Sequence, residues 1–314
     1  MEERKFTIII NPAAGTDDKS IALAYIEKKL TEKRLIYFIP EAELSGNYDF
    51  LTAHIAEKKI TDIIICGGDG TVNIVASQIA GTKIRIGIIP MGSGNGLAFA
   101  AGIPKDYKKA LKIILAGRAE YTDAFLINNH FSCMLCGLGF DAKVAHAFAA
   151  QHTRGLGTYI LETLKHFFTA ETYPFQIKAN GVTIDAEAFF ISIANSNQFG
   201  NNFTIAPEAR LSDGKIDVVI VNKTGKFNLI FKILRQVRRG KIVHITDRRN
   251  TVHYFQTTKM TIANPGNAPL HIDGDACETA PFFEINILPE AFLLLHPPTP
   301  SYDKVKPQVA TVSS

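Results

Sequence analysis

The stretch Ile63-Ile64-Ile65-Cys66-Gly67-Gly68-Asp69-Gly70-Thr71 decides the fold of this chain. Its apolar, β-branched first half predicts a buried strand, and we expect a helix to start near Val72, after the turn. Because glycine has no Cβ, the three glycines allow backbone N–H groups to approach a phosphate closely. Thr71 is expected to cap the helix, whose positive end also favours an anion. The stretch therefore predicts a phosphate-binding loop, with an ordinary strand-to-helix turn as the alternative.

Two further small-residue turns follow predicted strands. Asn11-Pro12-Ala13-Ala14-Gly15 follows the strand Lys5–Ile10, and the run from Pro90 to Leu97 follows the strand Lys83–Ile89. Alternating strands and helices predict a parallel α/β sheet, in which ligands bind at the carboxyl ends of the strands. Three such loops on one edge suit a polyphosphate. None of them fits the dinucleotide-binding pattern or the lysine-containing P-loop pattern.

Composition bounds the class of protein. The 314 residues are 46% hydrophobic and carry a net charge of +4. That length predicts two domains, and the charge is too small to indicate a nucleic-acid partner. Residues 1–6 are too short and too charged for a signal peptide, and no apolar run approaches the ~20 residues of a membrane span. We expect a cytoplasmic protein that is at most peripheral at the inner membrane face.

The four cysteines show no disulfide framework, which favours a reducing compartment. Cys133 and Cys136 have the spacing of a redox or zinc pair, but no second such pair exists in the sequence. Because the surrounding run is strand-like, we interpret them as buried strand cysteines rather than as ligands.

After about residue 125 the pattern changes to short strands separated by turns, which is typical of an antiparallel β domain. We predict domains at 1–125 and 126–296, followed by a disordered tail at 297–314. The strands expected in the second domain are Phe175–Ala179, Ala186–Asn195, Ile216–Asn222, Val252–Ala263, Ala268–Ile272 and Phe282–Leu288.

Seven motifs occur along the chain in a fixed order. They are Asn11-Pro12-x-x-Gly15, Gly67-Gly68-Asp69-Gly70-Thr71, Pro90-x-Gly92-Ser93-x-Asn95, Gly137-x-Gly139-Phe140-Asp141, Ala194-Asn195, the run from Ala206 to Gly214, and Ile272-Asp273-Gly274. Together they resemble the diacylglycerol kinase catalytic-domain family, which includes bacterial lipid kinases and sphingosine kinases. The resemblance covers roughly residues 5–295.

The resemblance implies an α/β nucleotide-binding domain and a larger β-sandwich-like domain, with the active site in the cleft between them. It implies transfer of the ATP γ-phosphate to a lipid hydroxyl with Mg²⁺, and hence transient contact with a membrane surface. A homodimer is left open.

On the nucleotide side, the motif residues Asn11, Pro12, Gly15, Gly92 and Ser93, together with the central loop, are expected to contact ATP. Asp69 would hold or orient the catalytic Mg²⁺, since phosphoryl transfer depends on positioning and charge neutralisation. Asn95 and Thr71 would position phosphate or metal. The alternative for Asn95 is a helix cap.

The acceptor hydroxyl needs a proton acceptor. Bacterial members of the family use the glutamate of an Asp-Gly-Glu motif, whereas this chain has Asp273-Gly274-Asp275. We expect Asp275 to be the base, although its reach is about 1.5 Å shorter. Glu278 is a substitute, and the alternative is that both are solvated turn residues. Asp123 matches a family aspartate at the cleft and is a secondary candidate.

The run from Arg210 to Lys215 resembles the family's structural magnesium loop. Asp213 would supply the side-chain ligand, and Arg210 and Lys215 would supply backbone carbonyls, a set compatible with a largely hydrated Mg²⁺. The alternative is a type I turn with no ion.

Several alternatives concern the substrate. Gly96 follows Asn95 where bacterial diacylglycerol kinases have aspartate, and Ile39-Pro40-Glu41 lacks an expected threonine, so the acceptor lipid and the ribose contacts stay open. The stretch Lys226–Lys241 reads as a basic amphipathic helix that either lies on anionic lipid or packs on the β domain. Rival functions are another kinase with this loop, such as an NAD kinase or a phosphofructokinase, and a lipid-binding protein that has lost catalysis.

Overall fold

The computed structural model of the chain describes residues 3–11, 19–40, 48–140, 142–143, 171–197, 206, 208–222 and 252–298. Pro12, Gly15 and the helix expected over Lys226–Lys241 lie outside these ranges. The helices are α1 (Lys19–Glu32), α2 (Leu51–Lys58), α3 (Asp69–Ile79), α4 (Gly96–Ala100) and α5 (Tyr107–Ala116). The strands are β1 (Lys5–Ile10), β2 (Ile36–Phe38), β3 (Asp62–Gly67), β4 (Arg85–Pro90), β5 (Ala119–Ile127), β6 (His130–Ser132), β7 (Leu135–Gly139), β8 (Tyr173–Ala179), β9 (Val182–Ala194), β10 (Ile216–Asn222), β11 (Val252–Thr257), β12 (Lys259–Ala263), β13 (Leu270–Ile272), β14 (Asp275–Cys277) and β15 (Phe282–Leu295).

The first part of the chain forms a parallel sheet in the order β2-β1-β3-β4. Strand β3 lies inside it, and Ile63, Ile64 and Ile65 have no exposed surface. A strand that is buried on both faces accounts for its uninterrupted apolar sequence. The predicted parallel α/β architecture is confirmed, and the three loops that follow β1, β3 and β4 leave the sheet at the same edge.

The second part is antiparallel. Strands β14-β13-β7-β9-β8-β12-β15 follow one another in the sheet, and β10 pairs with β9 and β11. Strand β15 is much longer than the sequence indicated, because its last residues pair with β4 in parallel and with β5 in antiparallel register. One continuous sheet therefore joins the two parts and fixes β4 relative to the β13–β14 hairpin.

The prediction of a single strand over Val252–Ala263 is wrong. Strand β11 pairs with β10, whereas β12 lies between β8 and β15. The break falls at Thr258, where the Thr257 hydroxyl donates to the Lys259 carbonyl at 2.7 Å. This side-chain bond competes with the sheet ladder and turns the chain. Among the helices that the structure describes, none is both long and apolar enough to cross a membrane.

Candidate active site

The start of α3 is formed by glycines. Gly68 is the N-cap residue and is extended, with no side-chain cap, so α3 begins at Asp69 rather than near Val72. The expectation that Thr71 caps the helix is therefore wrong. Thr71 lies buried in the first turn and accepts a hydrogen bond from Asn11 Nδ2 at 2.8 Å. This bond ties the loop after β1 to the loop after β3 and leaves the first N–H groups of α3 at the sheet edge.

The loops after β3 and β4 touch through their backbones. A Cβ on Gly92 would lie 2.5 Å from Gly68 Cα, a distance that real Cβ atoms do not adopt. The Met91 N–H also donates to the Gly67 carbonyl at 2.9 Å. Glycine is required at Gly92 for this approach, which brings the loops after β3 and β4 into direct contact.

Asn95 closes the loop after β4. Its backbone is left-handed with φ +55°, its Oδ1 accepts from the Gly92 N–H at 2.8 Å, and its Nδ2 donates to the Gly92 carbonyl at 2.7 Å. The side chain is buried and makes no cap hydrogen bond to α4. Asn95 therefore shapes the loop, and its predicted direct contact with phosphate or metal stays a prediction.

Asp69 is half-buried at the first turn of α3, beside the loop after β4. Its Oδ2 accepts from the Gly96 N–H at 3.0 Å. Burial and the nearby charge of Asp273 raise the pKa of Asp69 to about 6, although backbone N–H groups counteract part of the shift. The carboxylate has a high proton affinity because no cation among the described residues compensates its charge.

Asp275 reaches the same site from the second part of the chain. Asp273 and Gly274 have φ of +49° and +93°, as in a type I′ hairpin turn, and they connect β13 to β14. Asp275 follows directly, and its Oδ2 lies 3.1 Å from the position that a Cβ on Gly70 would occupy. The exposed carboxylate of Asp275 thus stands against the first turn of α3.

Asp273 is the site residue whose role sequence reasoning missed. Its buried carboxylate accepts hydrogen bonds from Asn73 Nδ2 (2.5 Å), Ser132 Oγ (2.6 Å) and the N–H groups of Cys133 (3.1 Å), Met134 (3.2 Å) and Leu135 (2.9 Å). The Asp-Gly pair signals a hairpin turn in the sequence, but nothing there shows partners about 140 residues away.

Residues 5–127 match the family described as the diacylglycerol kinase catalytic domain, and residues 135–296 match the YegS C-terminal NAD kinase beta sandwich-like domain. The chain belongs to the diacylglycerol kinase catalytic-domain family. The predicted fold class, an α/β domain with a β-sandwich-like second domain, is confirmed.

Similar proteins are found in several bacteria. The "Probable lipid kinase YegS-like" of Pectobacterium atrosepticum is 24% identical over 310 residues, covering 95% of this chain and 98% of that protein. The diacylglycerol kinase of Bacillus subtilis is 24% identical over 277 residues, covering 87% of this chain and 90% of that protein. A crystal structure of a diacylglycerol kinase from Bacillus anthracis shares the fold, with a TM-score of 0.73 at 21% identity, and covers 95% of this chain and 98% of that one.

In this diacylglycerol kinase-family chain, Cys133 and Cys136 are both buried, and neither forms a disulfide among the described residues. Burial and the charges of Asp273 and Asp69 raise the pKa of Cys133 well above its ordinary value. A thiol in such surroundings is a poor nucleophile. Cys136 lies on β7 in the core of the second part of the chain, as the strand interpretation expects, whereas Cys133 lies in the connection between β6 and β7, outside a strand.

A second polar centre surrounds Asp123 on β5. Its Oδ2 accepts from the Gly214 N–H at 2.7 Å, its Oδ1 accepts from the Glu290 N–H at 2.8 Å, and its own N–H donates to the Leu211 carbonyl. These bonds hold the 210–215 loop against β5 and occupy both carboxylate oxygens. The catalytic role of Asp123 stays a prediction, since these contacts give it a structural one.

The 210–215 loop has the expected turn. Asp213 Oδ1 accepts from the Lys215 N–H at 3.1 Å, and Lys215 Nζ donates to Gln256. Burial, reinforced by the charge of Asp123, raises the pKa of Asp213. The nearby charges of Lys215 and Arg210 counteract part of this shift. The ligand roles of Asp213 and of the Arg210 and Lys215 carbonyls stay predictions.

A metal ion at this site would depend on a small number of carboxylates. Across the described ranges, no group of three or more His, Cys, Asp or Glu side chains is arranged to hold an ion. Magnesium commonly uses one or two carboxylates, with water and substrate phosphates completing its shell. Asp69, whose pKa is raised in an environment without a basic partner, fits that requirement once phosphate is present.

Proposed function

We propose that this protein is an ATP-dependent lipid kinase that transfers the γ-phosphate of ATP to the hydroxyl of a diacylglycerol or a sphingosine-like lipid. The observation that carries the proposal is the position of Asp275. Its Oδ2 is 3.1 Å from a Cβ position on Gly70, so a carboxylate from the second domain stands at the first turn of α3. The family membership and the kinase names of the relatives support the same reaction class.

The phosphates of ATP bind at the surface formed by the three loops. The N-terminus of α3 supplies unsatisfied N–H groups and the positive end of the helix dipole. The contact between Gly68 and Gly92 brings the loop after β4 against this end of α3. Asn11 and Thr71 hold the loops in register through their 2.8 Å hydrogen bond, which makes the surface rigid before ATP arrives.

Asp275 acts as the general base. It accepts the proton of the lipid hydroxyl as that oxygen attacks the γ-phosphorus. The bond between the γ-phosphorus and its bridging oxygen breaks, and ADP leaves with that electron pair. Lipid and ATP are thereby converted into phosphorylated lipid and ADP. The shorter reach of aspartate is offset by the hairpin, which brings the residue against α3.

Mg²⁺ bound with ATP would supply neutralisation of the phosphate charge, and Asp69 is the residue proposed to hold or orient it. When Asp69 is ionised, its negative charge lies near that of Asp273. A divalent cation relieves this repulsion. The pKa of Asp69 is therefore expected to fall when the metal nucleotide binds.

A lipid acceptor requires access to a membrane surface, so we propose transient contact with one. A homodimer, and the use of Lys226–Lys241 as the contact segment, stay predictions.

The test is a radiolabelled-phosphate transfer assay with ATP and Mg²⁺ against diacylglycerol, sphingosine, monoacylglycerol and phosphatidylglycerol in mixed micelles. NAD and fructose 6-phosphate serve as acceptor controls. We expect label in a lipid product only. Label in NAD or in the sugar phosphate would assign the chain to another kinase class. ATP binding without transfer to any of these acceptors would favour a lipid-binding protein without catalysis.

A further inference from the structure

The hydrogen bonds of Asp273 connect three separate parts of the site. Asn73 lies on α3, four residues after Asp69 and therefore on the same helical face. Its Nδ2 donates to Asp273 Oδ2 at 2.5 Å and to the Phe131 carbonyl at 3.0 Å. Asp273 in turn stands two residues before Asp275, in the turn that begins β14.

The other donors to Asp273 come from the short connection between β6 and β7. Ser132, Cys133, Met134 and Leu135 direct their N–H or O–H groups at its carboxylate. The Asp273 N–H donates back to the Leu135 carbonyl at 2.8 Å. The hairpin is thereby held from one side by this connection and from the other by α3.

The charge of Asp273 is balanced by dipoles alone. Its partners in the described part of the chain are N–H, O–H and S–H groups, with no lysine or arginine among them. Several donors on fixed backbone hold a carboxylate in one orientation more strictly than one flexible cation would. A left-handed residue such as Asp273, at φ +49°, persists where its surroundings determine its conformation.

We infer that Asp273 is a positioning residue for phosphoryl transfer: through Asn73 on α3 and the β6–β7 connection, it fixes Asp275 relative to Asp69. The inference rests on the proposed kinase function and adds a residue to it. Asp273 contacts no reacting atom itself. Reactions of this type lose rate steeply when reacting groups are displaced by about 1 Å, so loosening of this carboxylate is expected to lower kcat.

The key variant is Asn73→Ala, which removes one donor from Asp273 and introduces a residue with high helix propensity. We expect kcat to fall at least tenfold, with KM for ATP changed less than twofold and an unchanged melting temperature. Asn73→Asp sets two carboxylates against each other and is expected to lose more. Adding Asp273→Asn to Asn73→Asp restores a donor–acceptor pair, so it should recover part of kcat.

The matched control is the Asn180-Gly181 turn between β8 and β9. Its residues have φ of +51° and +76°, and Asn180 also hydrogen-bonds across the sheet, to Gln256 and Thr257. Asn180→Ala and Asp273→Ala therefore impose the same backbone strain at equivalent turn positions. Asn180→Ala should keep kcat within twofold, whereas Asp273→Ala should lose it.

Hydrogen–deuterium exchange separates this inference from the proposed function. In Asn73→Ala, peptides covering 132–136 and 272–277 should exchange at least fivefold faster, whereas a peptide covering 180–186 should not change. If wild type phosphorylates no acceptor, the proposed function fails, and exchange alone judges whether Asp273 holds the hairpin. If Asn73→Ala leaves kcat within twofold, or if exchange is unchanged at 272–277, the positioning role is wrong.

Discussion

The two ends of strand β3 place a carboxylate in opposite electrostatic environments. At its first residue, Asp62 is completely buried and forms ion pairs with Arg4 at 2.5 Å and Arg85 at 2.6 Å. Just past its last residue, Asp69 has backbone N–H partners and a second carboxylate, Asp273, nearby. Charge is therefore neutralised at the amino-terminal edge of the sheet and left uncompensated at the carboxyl-terminal edge.

We interpret the ion-paired end of β3 as stabilising the fold and the end beside Asp69 as serving the proposed function. Asp62 and its two arginines join β1, β3 and β4, and Arg4 also donates to the Ile114 and Leu115 carbonyls at the end of α5. This cluster needs no ligand to be complete. Under the proposed function, a cation and a polyphosphate would complete the edge with Asp69, since ligands bind at the carboxyl ends of parallel strands. The predictions below begin with the largest effect on phosphoryl transfer.

Replacement of Asp69 should have the largest effect. In Asp69→Asn the shape is kept and the negative charge is lost, so we expect kcat to fall at least about 1,000-fold, in line with the several kcal/mol that metal-mediated charge stabilisation provides. The free energy of unfolding should not fall at neutral pH, because the raised pKa means that the folded state disfavours the ionised carboxylate that the substitution removes. Steady-state transfer assays measure kcat, and urea unfolding measures the free energy of unfolding. Activity within threefold of wild type would remove Asp69 from the mechanism.

Replacement of Asp275 tests the acceptor side. Asp275→Asn removes the proton acceptor, so kcat should fall at least about 100-fold, with ATP affinity near that of wild type. Asp275→Glu should also lose activity, because an added methylene would move the carboxylate away from its position beside Gly70 at the first turn of α3. Glu278→Gln, at an exposed position nearby, is the control and should keep kcat. Full kcat in Asp275→Asn would place the base elsewhere.

The raised pKa of Asp69 predicts a pH dependence. Because the ionised form is the one that holds the metal, log kcat/KM should rise by about one unit per pH unit up to about pH 6 and level off above it. Initial rates from pH 5 to 8 measure this. A profile that is flat from pH 5 to 7 would contradict the assignment.

The same pKa predicts how stability changes with pH. The folded-state pKa of Asp69 lies above its value of 3.8 in the unfolded chain, so the folded state binds more protons between about pH 4 and 6. Asp69 therefore makes wild type lose stability as pH rises through that window, and this contribution is absent in Asp69→Asn. The free energy of unfolding of Asp69→Asn minus that of wild type should increase from pH 4 to pH 6 and stay constant above pH 6. Subtracting the two curves cancels the contribution of Asp217, whose pKa is also raised to about 6 by burial.

Much of this fold could be predicted because the relevant signals are local. Strand β10 has the predicted bounds, Ile216–Asn222, since a β-branched run follows a glycine turn. The start of α3 could not be predicted, because a glycine N-cap provides no side-chain signal. The break at Thr258 was missed because it depends on the hydroxyl of Thr257 rather than on Gly or Pro.

In the candidate site, too, local features could be predicted from the sequence and long-range contacts could not. The glycine loops could be located because each follows a strand and opens a helix. The partnership of Asp273 with Asn73 and Ser132 could not, since those residues lie 200 and 141 positions away in the sequence. Strand β15 is a further case, because its continuation to Leu295 depends on pairing with β4 and β5. The extent of β15 therefore depends on long-range strand pairing, which the local sequence pattern does not show.

The smallest effect on transfer is expected at Asp62, the other end of β3. Asp62→Asn leaves the partly buried guanidinium groups of Arg4 and Arg85 without a counter-charge. Removing one partner of a buried ion pair typically costs about 3–5 kcal/mol of folding free energy. At a temperature well below the melting transition, kcat should nevertheless stay within twofold, because the cluster lies at the opposite edge of the sheet.

The matched control is Glu120→Gln. It breaks an ion pair with Arg118 in which both side chains are about half exposed, so its cost should be below about 1 kcal/mol. Urea unfolding and transfer assays on Asp62→Asn, Glu120→Gln and Asp69→Asn then give the free energy of unfolding and kcat separately for each variant. If Asp62→Asn lowered kcat as strongly as Asp69→Asn while keeping its stability, the two ends of β3 would not divide stability from function, since charge at the amino-terminal edge would then contribute to transfer.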